Sequence, residues 1–347
     1  MSESGNGGQE QAALTPEVRL FDVSHTEARR LLATGAPVYL TVNPVEYHGP
    51  HLSLHNDRLV SLGLVRALHP RVAPGFPLVL AEDLEVGVDP CPGPGTRYVG
   101  LPQARRLVRV ACEGLAALGA KRVVLMTFHG SPLHAAALED GVRCLRRRGV
   151  AVVNPFNLLL QRLLSLQGEE FAEVTAHLPD AADRAAVIRD FATDFHAGFG
   201  ETSLTLHLAP ESVHPGRAHL PPCPPLVPWR LFTGLSRLAA GLGAQGLAHE
   251  LRFIGVALAW AGLRPFPGYT GRPHLASAAA GAWLTERIVA EAAPCARAAL
   301  FEGGPSPRPT LRWLPWATLG GRIFGGMKLD QRQVMAPSPA FEAAGEG

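Results

Sequence analysis

The sequence predicts an α/β fold with a parallel sheet covered by helices on both faces. Short apolar runs of strand length alternate with amphipathic stretches of helical spacing, and the connections between them are short. Glycines close the helical stretches. Pro37–Val42 (PVYLTV) is a continuous apolar run and reads as a buried strand. From Pro102, apolar residues at Ala104, Leu107, Val108, Ala111, Leu115 and Leu118 recur at intervals of three and four, which makes one helical stripe. Gly119 then ends that helix. Arg122–Phe128 (RVVLMTF) is the next strand, Pro132 opens a helix that runs to Arg148 before Gly149, and Val150–Val153 is a strand again. Strand, helix, strand with tight links is the pattern of a parallel sheet, whose ligands sit beyond the carboxyl ends of its strands.

The chain has 347 residues, enough for one large domain or two ordinary ones. Lys and Arg (32) nearly balance Asp and Glu (30), so no basic face for coating nucleic acid is expected. Five scattered cysteines with no C-x-x-C pair read as unpaired thiols in a reducing compartment. The polar N-terminus has no secretory pattern, and no apolar run approaches the roughly 20 residues of a membrane span. A cytoplasmic protein with no membrane partner is expected. The composition divides the chain into a disordered tail (1–17), a main domain (18–300) and a Pro/Gly-rich appendage (301–347), the last partly packed through Trp313 and Trp316.

The densest chemistry follows the first strand. Glu46-Tyr47-His48-Gly49-Pro50-His51-Leu52-Ser53-Leu54-His55-Asn56-Asp57 holds three imidazoles and two carboxylates in twelve residues. Neutral imidazole nitrogen and carboxylate oxygen are ligands of zinc and manganese. The competing reading is a polar surface loop whose histidines cap turns; density and position favour a metal site. His129 ends the RVVLMTF strand and is followed by Gly130, which places it at the same sheet edge. A third cluster is His196-Ala197-Gly198-Phe199-Gly200-Glu201-Thr202-Ser203; alone it reads equally as a capped helix start.

Taken together, these segments resemble the creatininase (creatinine amidohydrolase) family, over about Val18 to Ala298. The family's first motif is roughly E-x-HGPHLPLGTD, against EYHGPHLSLHND here. The second is GHGGN-like, against Phe128-His129-Gly130-Ser131-Pro132, and HAG-x-x-ETS matches almost letter for letter. Pro94-Gly95-Thr96 and Gly268-Tyr269-Thr270-Gly271-Arg272-Pro273 are weaker echoes. The resemblance implies a three-layer αβα fold with a mostly parallel sheet and two divalent ions (Zn, Mn or Fe). Asp57 would bridge them, Glu46 and His129 would complete one, and His48 would bind the other. His196 would shuttle a proton to the leaving nitrogen, a task suited to a group whose ordinary pKa is about 6.5. Glu201 is either a ligand of the second ion or a catalytic carboxylate, because Ser131 stands where some relatives carry a glutamate ligand. The implied activity is hydrolysis of a C–N bond other than a peptide bond, in a small non-peptide or cyclic amide, by a homo-oligomer such as a hexamer. The alternatives are a peptidase trimming a modified peptide in cofactor maturation and an inactive binding protein on the same fold. Relatives acting on creatinine carry a tryptophan four residues before the HAG histidine; Ala192 holds that place here, which argues against creatinine itself. His55 is read as an extra ligand, a partner of one, or neither, with His51 orienting the loop and His134 structural or exposed.

Overall fold

Five strands, β1 (Glu17–Arg19), β2 (Val38–Asn43), β3 (Leu78–Glu85), β4 (Arg122–Met126) and β5 (Ala151–Val153), form one sheet of order β1-β3-β2-β4-β5. Every pairing in it is parallel. These are features of a computed structural model that describes residues 16–165, 168–323 and 328–345. The first fifteen residues, most of the expected tail, lie outside the described residues, and Glu17 already pairs with Leu78 in the sheet. The central strand β2 is buried at every position, as a strand covered on both faces must be.

The chain continues as α1 (His25–Ala33), α2 (Asn56–Val72), α3 (Leu101–Leu118) and α4 (Pro132–Arg147) between the strands. After β5 come α5 (Phe156–Ser165), α6 (Ala181–Asp190), α7 (Phe199–Leu208), α8 (Arg230–Gly241), α9 (Gln245–Ala261) and α10 (Ala278–Phe301). Side chains of successive strand residues point to opposite faces, and the core divides accordingly. Val38, Leu40, Val123 and Leu125 pack with Leu32 of α1, Val108 and Leu115 of α3, and Leu138 and Leu145 of α4. Tyr39, Val124, Met126 and Val153 pack with Leu64 and Leu68 of α2, Leu204 of α7 and Val289 of α10. The result is the three-layer αβα arrangement. The expected elements from Pro37 to Val153 are present, with ends shifted by one or two residues. Gly119 has a φ of 108° and closes α3 in the left-handed conformation. Ser131 caps α4 by accepting from the His134 N–H, with Pro132 in the first turn.

From β2 the chain crosses to β3 on one side and only then to β4 on the other. The loops leaving β2 and β4 therefore diverge, and a crevice opens between them. Asn43, fully buried at the end of β2, ties this edge together. Its Nδ2 donates to Asp83 Oδ1 (2.9 Å), and its Oδ1 accepts from Ser61 Oγ of α2 (2.9 Å) and the Phe128 N–H just past β4 (3.2 Å).

The appendage lies against the main body. Trp313 Nε1 and the Leu311 N–H both donate to the Glu250 carboxylate, each at 2.7 Å. Phe266 and the Gln333–Met335 stretch exchange backbone hydrogen bonds of 2.8 Å, and Phe341 stacks on His214. Of the two tryptophans expected to pack, Trp316 instead stands 83% exposed. All five cysteines are unpaired. Among the described residues, no helix is long and apolar enough to cross a membrane.

Because Asn43→Ala removes the acceptor of the Ser61 hydroxyl and the Phe128 N–H and one of the donors to Asp83, it is expected to lower unfolding free energy by about 3 kcal/mol. Denaturant melts check this; a loss below about 1 kcal/mol would mean water or neighbours replace its bonds.

Candidate active site at the sheet edge

Three loops meet at the crevice. The loop after β2 carries Glu46 and His48 and closes on itself through the Glu46 N–H and Leu54 carbonyl (2.9 Å). Thr96 pins the same loop by accepting from the Tyr47 N–H (2.9 Å) and donating to the Cys91 carbonyl (2.8 Å), which gives Pro94-Gly95-Thr96 its role. Asn56 and Asp57, expected in this loop, instead start α2, where the helix dipole favours a carboxylate. His129 follows β4. His196 precedes α7, and Glu201 is in its first turn.

All six expected residues come together. His129 Nδ1 lies 2.8 Å from Glu46 Oε2 and 3.7 Å from Asp57 Oδ2. His48 Nε2 lies 3.3 Å from Asp57 Oδ1 and 3.4 Å from Glu201 Oε1. His196 Nδ1 is 3.9 Å from Glu46 Oε1, and its ring stacks on His48 with centroids 4.4 Å apart. Asp57 thus stands between two histidines: His129, paired with Glu46, lies by Oδ2, and His48, beside Glu201, lies by Oδ1.

Backbone carbonyls set the histidine tautomers. A ring nitrogen against a carbonyl must carry the proton, so His129 Nε2 donates to Val88 O (3.1 Å), His48 Nδ1 to Glu46 O (3.1 Å) and His196 Nε2 to Tyr47 O (3.0 Å). In each neutral ring the other nitrogen turns an acceptor lone pair toward the carboxylates. Glu46 Oε2, His48 Nε2 and Asp57 Oδ2 are buried without a hydrogen-bond partner. Buried acceptors facing one another need either extra protons or a cation between them.

Without a cation, the protons go to the imidazoles. Burial disfavours charge on His129, but the Glu46 carboxylate outweighs it and raises the pKa to about 9. His48 is likewise raised, burial being overcome by Asp57 and Glu201. Burial, together with the Glu46 charge, pushes Asp57 up to about 7 even though His48 and His129 oppose it. For Glu46, burial acts upward, but the His129, His196 and His48 charges win and hold it below the usual carboxylate range. Several groups at the cluster are spaced so that they could hold a divalent ion. Ligand atoms of Glu46, His48 and Asp57 lie within 4.8 Å of one another, as do those of His48, His196 and Glu201 and those of Glu46, Cys91 and His196.

A supporting layer holds these groups. Glu201 accepts from Asn56 Nδ2 (2.8 Å) and the Ala197 N–H (2.5 Å), and Asn56 Oδ1 in turn accepts from Thr205 Oγ1 (2.7 Å). Ala197, with φ of 47°, holds a left-handed conformation uncommon for alanine. Asp194 braces the turn by accepting from the Gly200 N–H (2.9 Å) and from Thr270 Oγ1 (3.2 Å). Gly198 has to be glycine, because a Cβ there would overlap Asp194. Thr270 Oγ1 also accepts from the Phe195 and His196 N–H groups, so GYTGRP is the clamp of the HAG turn.

His51 Nε2 bonds Thr202 Oγ1 (2.9 Å) and orients the loop. His134 Nε2 meets the Val42 carbonyl (3.1 Å), a structural contact. His55 pairs with Glu85 at the surface (3.3 Å), away from the cluster. Ser131 is spent on the helix cap and offers the cluster no ligand. The sequence reading did not identify Asn56, Cys91, Asp194 or Trp260 as site residues. Trp260 packs against His196 with ring centroids 5.1 Å apart. A tryptophan therefore does stand at the site, supplied by α9 and not by the segment before the HAG turn. Next to the cluster lies a cavity of about 190 Å³.

The overall architecture is similar to solved structures of one family. A manganese form of creatininase is 22% identical, with a TM-score of 0.53, over 83% of this chain and 99% of that one. A crystal structure of creatinine amidohydrolase (creatininase) is 21% identical at a TM-score of 0.51, over 81% and 96%. A putative creatinine amidohydrolase from Bacteroides fragilis is 17% identical at a TM-score of 0.50, over 76% and 90%. At these identities the likeness establishes the fold. A search of curated proteins gave no match. The creatinine amidohydrolase (Creatininase) family model matches residues 22–295, and the chain belongs to that family.

Proposed function

We propose that the protein is a metal-dependent amidohydrolase that cleaves a C–N bond of a small, non-peptide or cyclic amide. Two divalent ions, Zn, Mn or Fe, would be held by Glu46, His48, Asp57, His129 and Glu201. The observation that carries this reading is the buried Asp57 carboxylate between two histidines: Oδ1 lies by His48, which also meets Glu201, and Oδ2 lies by His129, which also meets Glu46. Family membership supports the amide chemistry. One solved relative is a manganese form of creatininase and another a variant of Zn-Zn type, which supports such a metal pair. Glu201, 3.4 Å from His48, is turned into the cluster, which favours catalysis over an inactive binding protein.

When bound, the ions supply Lewis acidity, polarising a carbonyl and lowering the pKa of water. Hydrolysis breaks the C–N bond, forms a C–O bond from water, and delivers the water's proton to the leaving nitrogen. His196 is placed for that transfer. Its Nε2–H is held by the Tyr47 carbonyl, so Nδ1 is the exchanging atom. Burial, with the His48 charge, lowers its pKa to about 4. It is therefore a neutral acceptor at rest and a strong proton donor once charged.

The homo-oligomer belongs to the same proposal. Leu231, Leu235, Leu238 and Leu242 are exposed at helical spacing on and just beyond α8, an apolar face that a second copy would cover. Sedimentation should find an oligomer; a monomer at micromolar concentration would contradict it.

Elemental analysis of the metal-loaded protein should find two ions per chain. Asp57→Ala should reduce this to one or none while circular dichroism still reports the fold; full retention of both ions would overturn the bridging role. His196→Gln should cost roughly 10²- to 10⁴-fold in kcat with metal content unchanged. Lost metal at unchanged kcat per ion would make His196 a ligand instead. Cations must displace protons from His129 and His48, both raised above the ordinary imidazole range, so apparent metal affinity should climb as pH rises from neutrality to at least about 9. Calorimetry in buffers of different ionisation enthalpy reads the released protons, and pH-independent affinity would contradict the assignment.

A further inference from the structure

We infer that the amide cleaved here carries a bulky, uncharged apolar group, which occupies the cavity beside the donor cluster. This rests on the hydrolase reading above and adds the substrate class. The cavity, about 190 Å³, has the buried Asp57, His129 and His196 in its lining, together with Glu201. Its walls are Phe128, Phe156, Leu160, Phe191, Leu204 and Leu284, contributed by the loop after β4, α5, the segment after α6, α7 and α10. The aromatic walls brace one another: Phe128 and Phe156 lie 5.5 Å apart, and Phe191 stacks on Phe171 at 4.6 Å.

The other boundary is polar and charge-balanced. Glu291 receives Arg162 (3.0 Å) and Arg287 (3.2 Å), and Glu170 lies 3.9 Å from Arg287. Two cations matched by two carboxylates do not select a charged substituent. Within the walls, Asp194 already accepts from Gly200 and Thr270. A polar ring placed there would leave its own donors and acceptors unpaired, which buried sites penalise. An apolar group gains from each carbon it buries. The chemistry of the walls therefore selects a hydrocarbon or aromatic substituent, with the scissile carbonyl at the donor cluster.

The test uses the full chain loaded with zinc and straight-chain hydroxamates, which chelate through the head group and vary only in the tail. Calorimetry compares acetohydroxamate through octanohydroxamate. Affinity should rise roughly fourfold per methylene before levelling, so hexanohydroxamate should bind on the order of 100-fold tighter than acetohydroxamate. Leu163→Gln and Ile288→Gln, both at half-buried lining positions, should each flatten that slope. If acetohydroxamate binds and chain length makes no difference, the apolar substrate class is wrong while the metal reading stands. If no hydroxamate binds the zinc-loaded protein, or the protein takes up no zinc, the metal reading fails and this inference with it.

Discussion

Everything at this site follows from one electrostatic constraint. Three carboxylates and three imidazoles are packed into a buried volume, with backbone carbonyls consuming the one proton each neutral ring can donate. What remains facing inward is a set of acceptors, and acceptors alone do not attract one another. Protons on His48 and His129 resolve the conflict in the metal-free chain, as the upward shifts of both histidines indicate. Cations would resolve it as well, leaving each carbonyl-bonded N–H in place, and that alternative underlies the proposed metal pair.

The fold creates the constraint by topology. Because the chain leaves β2 for one side of the sheet and returns to the other side for β4, the loops carrying Glu46 and His129 open a crevice instead of packing over it. Asn43 fixes the edge by binding β3, α2 and the start of the β4 loop at once. The α7 segment closes the third side. Asp194, Thr270 and Gly198 force the HAG turn into a conformation that Ala197 would not choose alone, and the turn delivers both His196 and Glu201. The proposed substrate pocket is built elsewhere, on the ordinary-looking apolar faces of α5, α7 and α10.

The residues that converge on the cluster were legible because each lies in a compact local pattern beside a recognisable strand or helix. Glu46, His48 and Asp57 share one short segment, and His196 and Glu201 share another. Their helpers were not legible, because their partners are remote: Asn56 bonds a residue 145 positions away, and Trp260 reaches His196 only through tertiary packing. Strands β2, β4 and β5 were readable as uninterrupted apolar runs. In β3, Glu82 and Asp83 interrupt the pattern, since Asp83 is turned toward Thr41 and Asn43 and not toward a hydrophobic layer. The cavity walls were hidden for the opposite reason. Phe156, Leu160 and Leu284 have the spacing of core residues, and nothing in a hydrophobic stripe tells which of its members face an empty volume.

The most direct measurement is anomalous X-ray diffraction from crystals of the metal-loaded protein, collected at the absorption edge of the added ion. The account predicts two peaks flanking the Asp57 carboxylate, one against Glu46 and His129 and the other against His48 and Glu201. An absence of density there at saturating metal, with protonated histidines paired to the carboxylates, would contradict it.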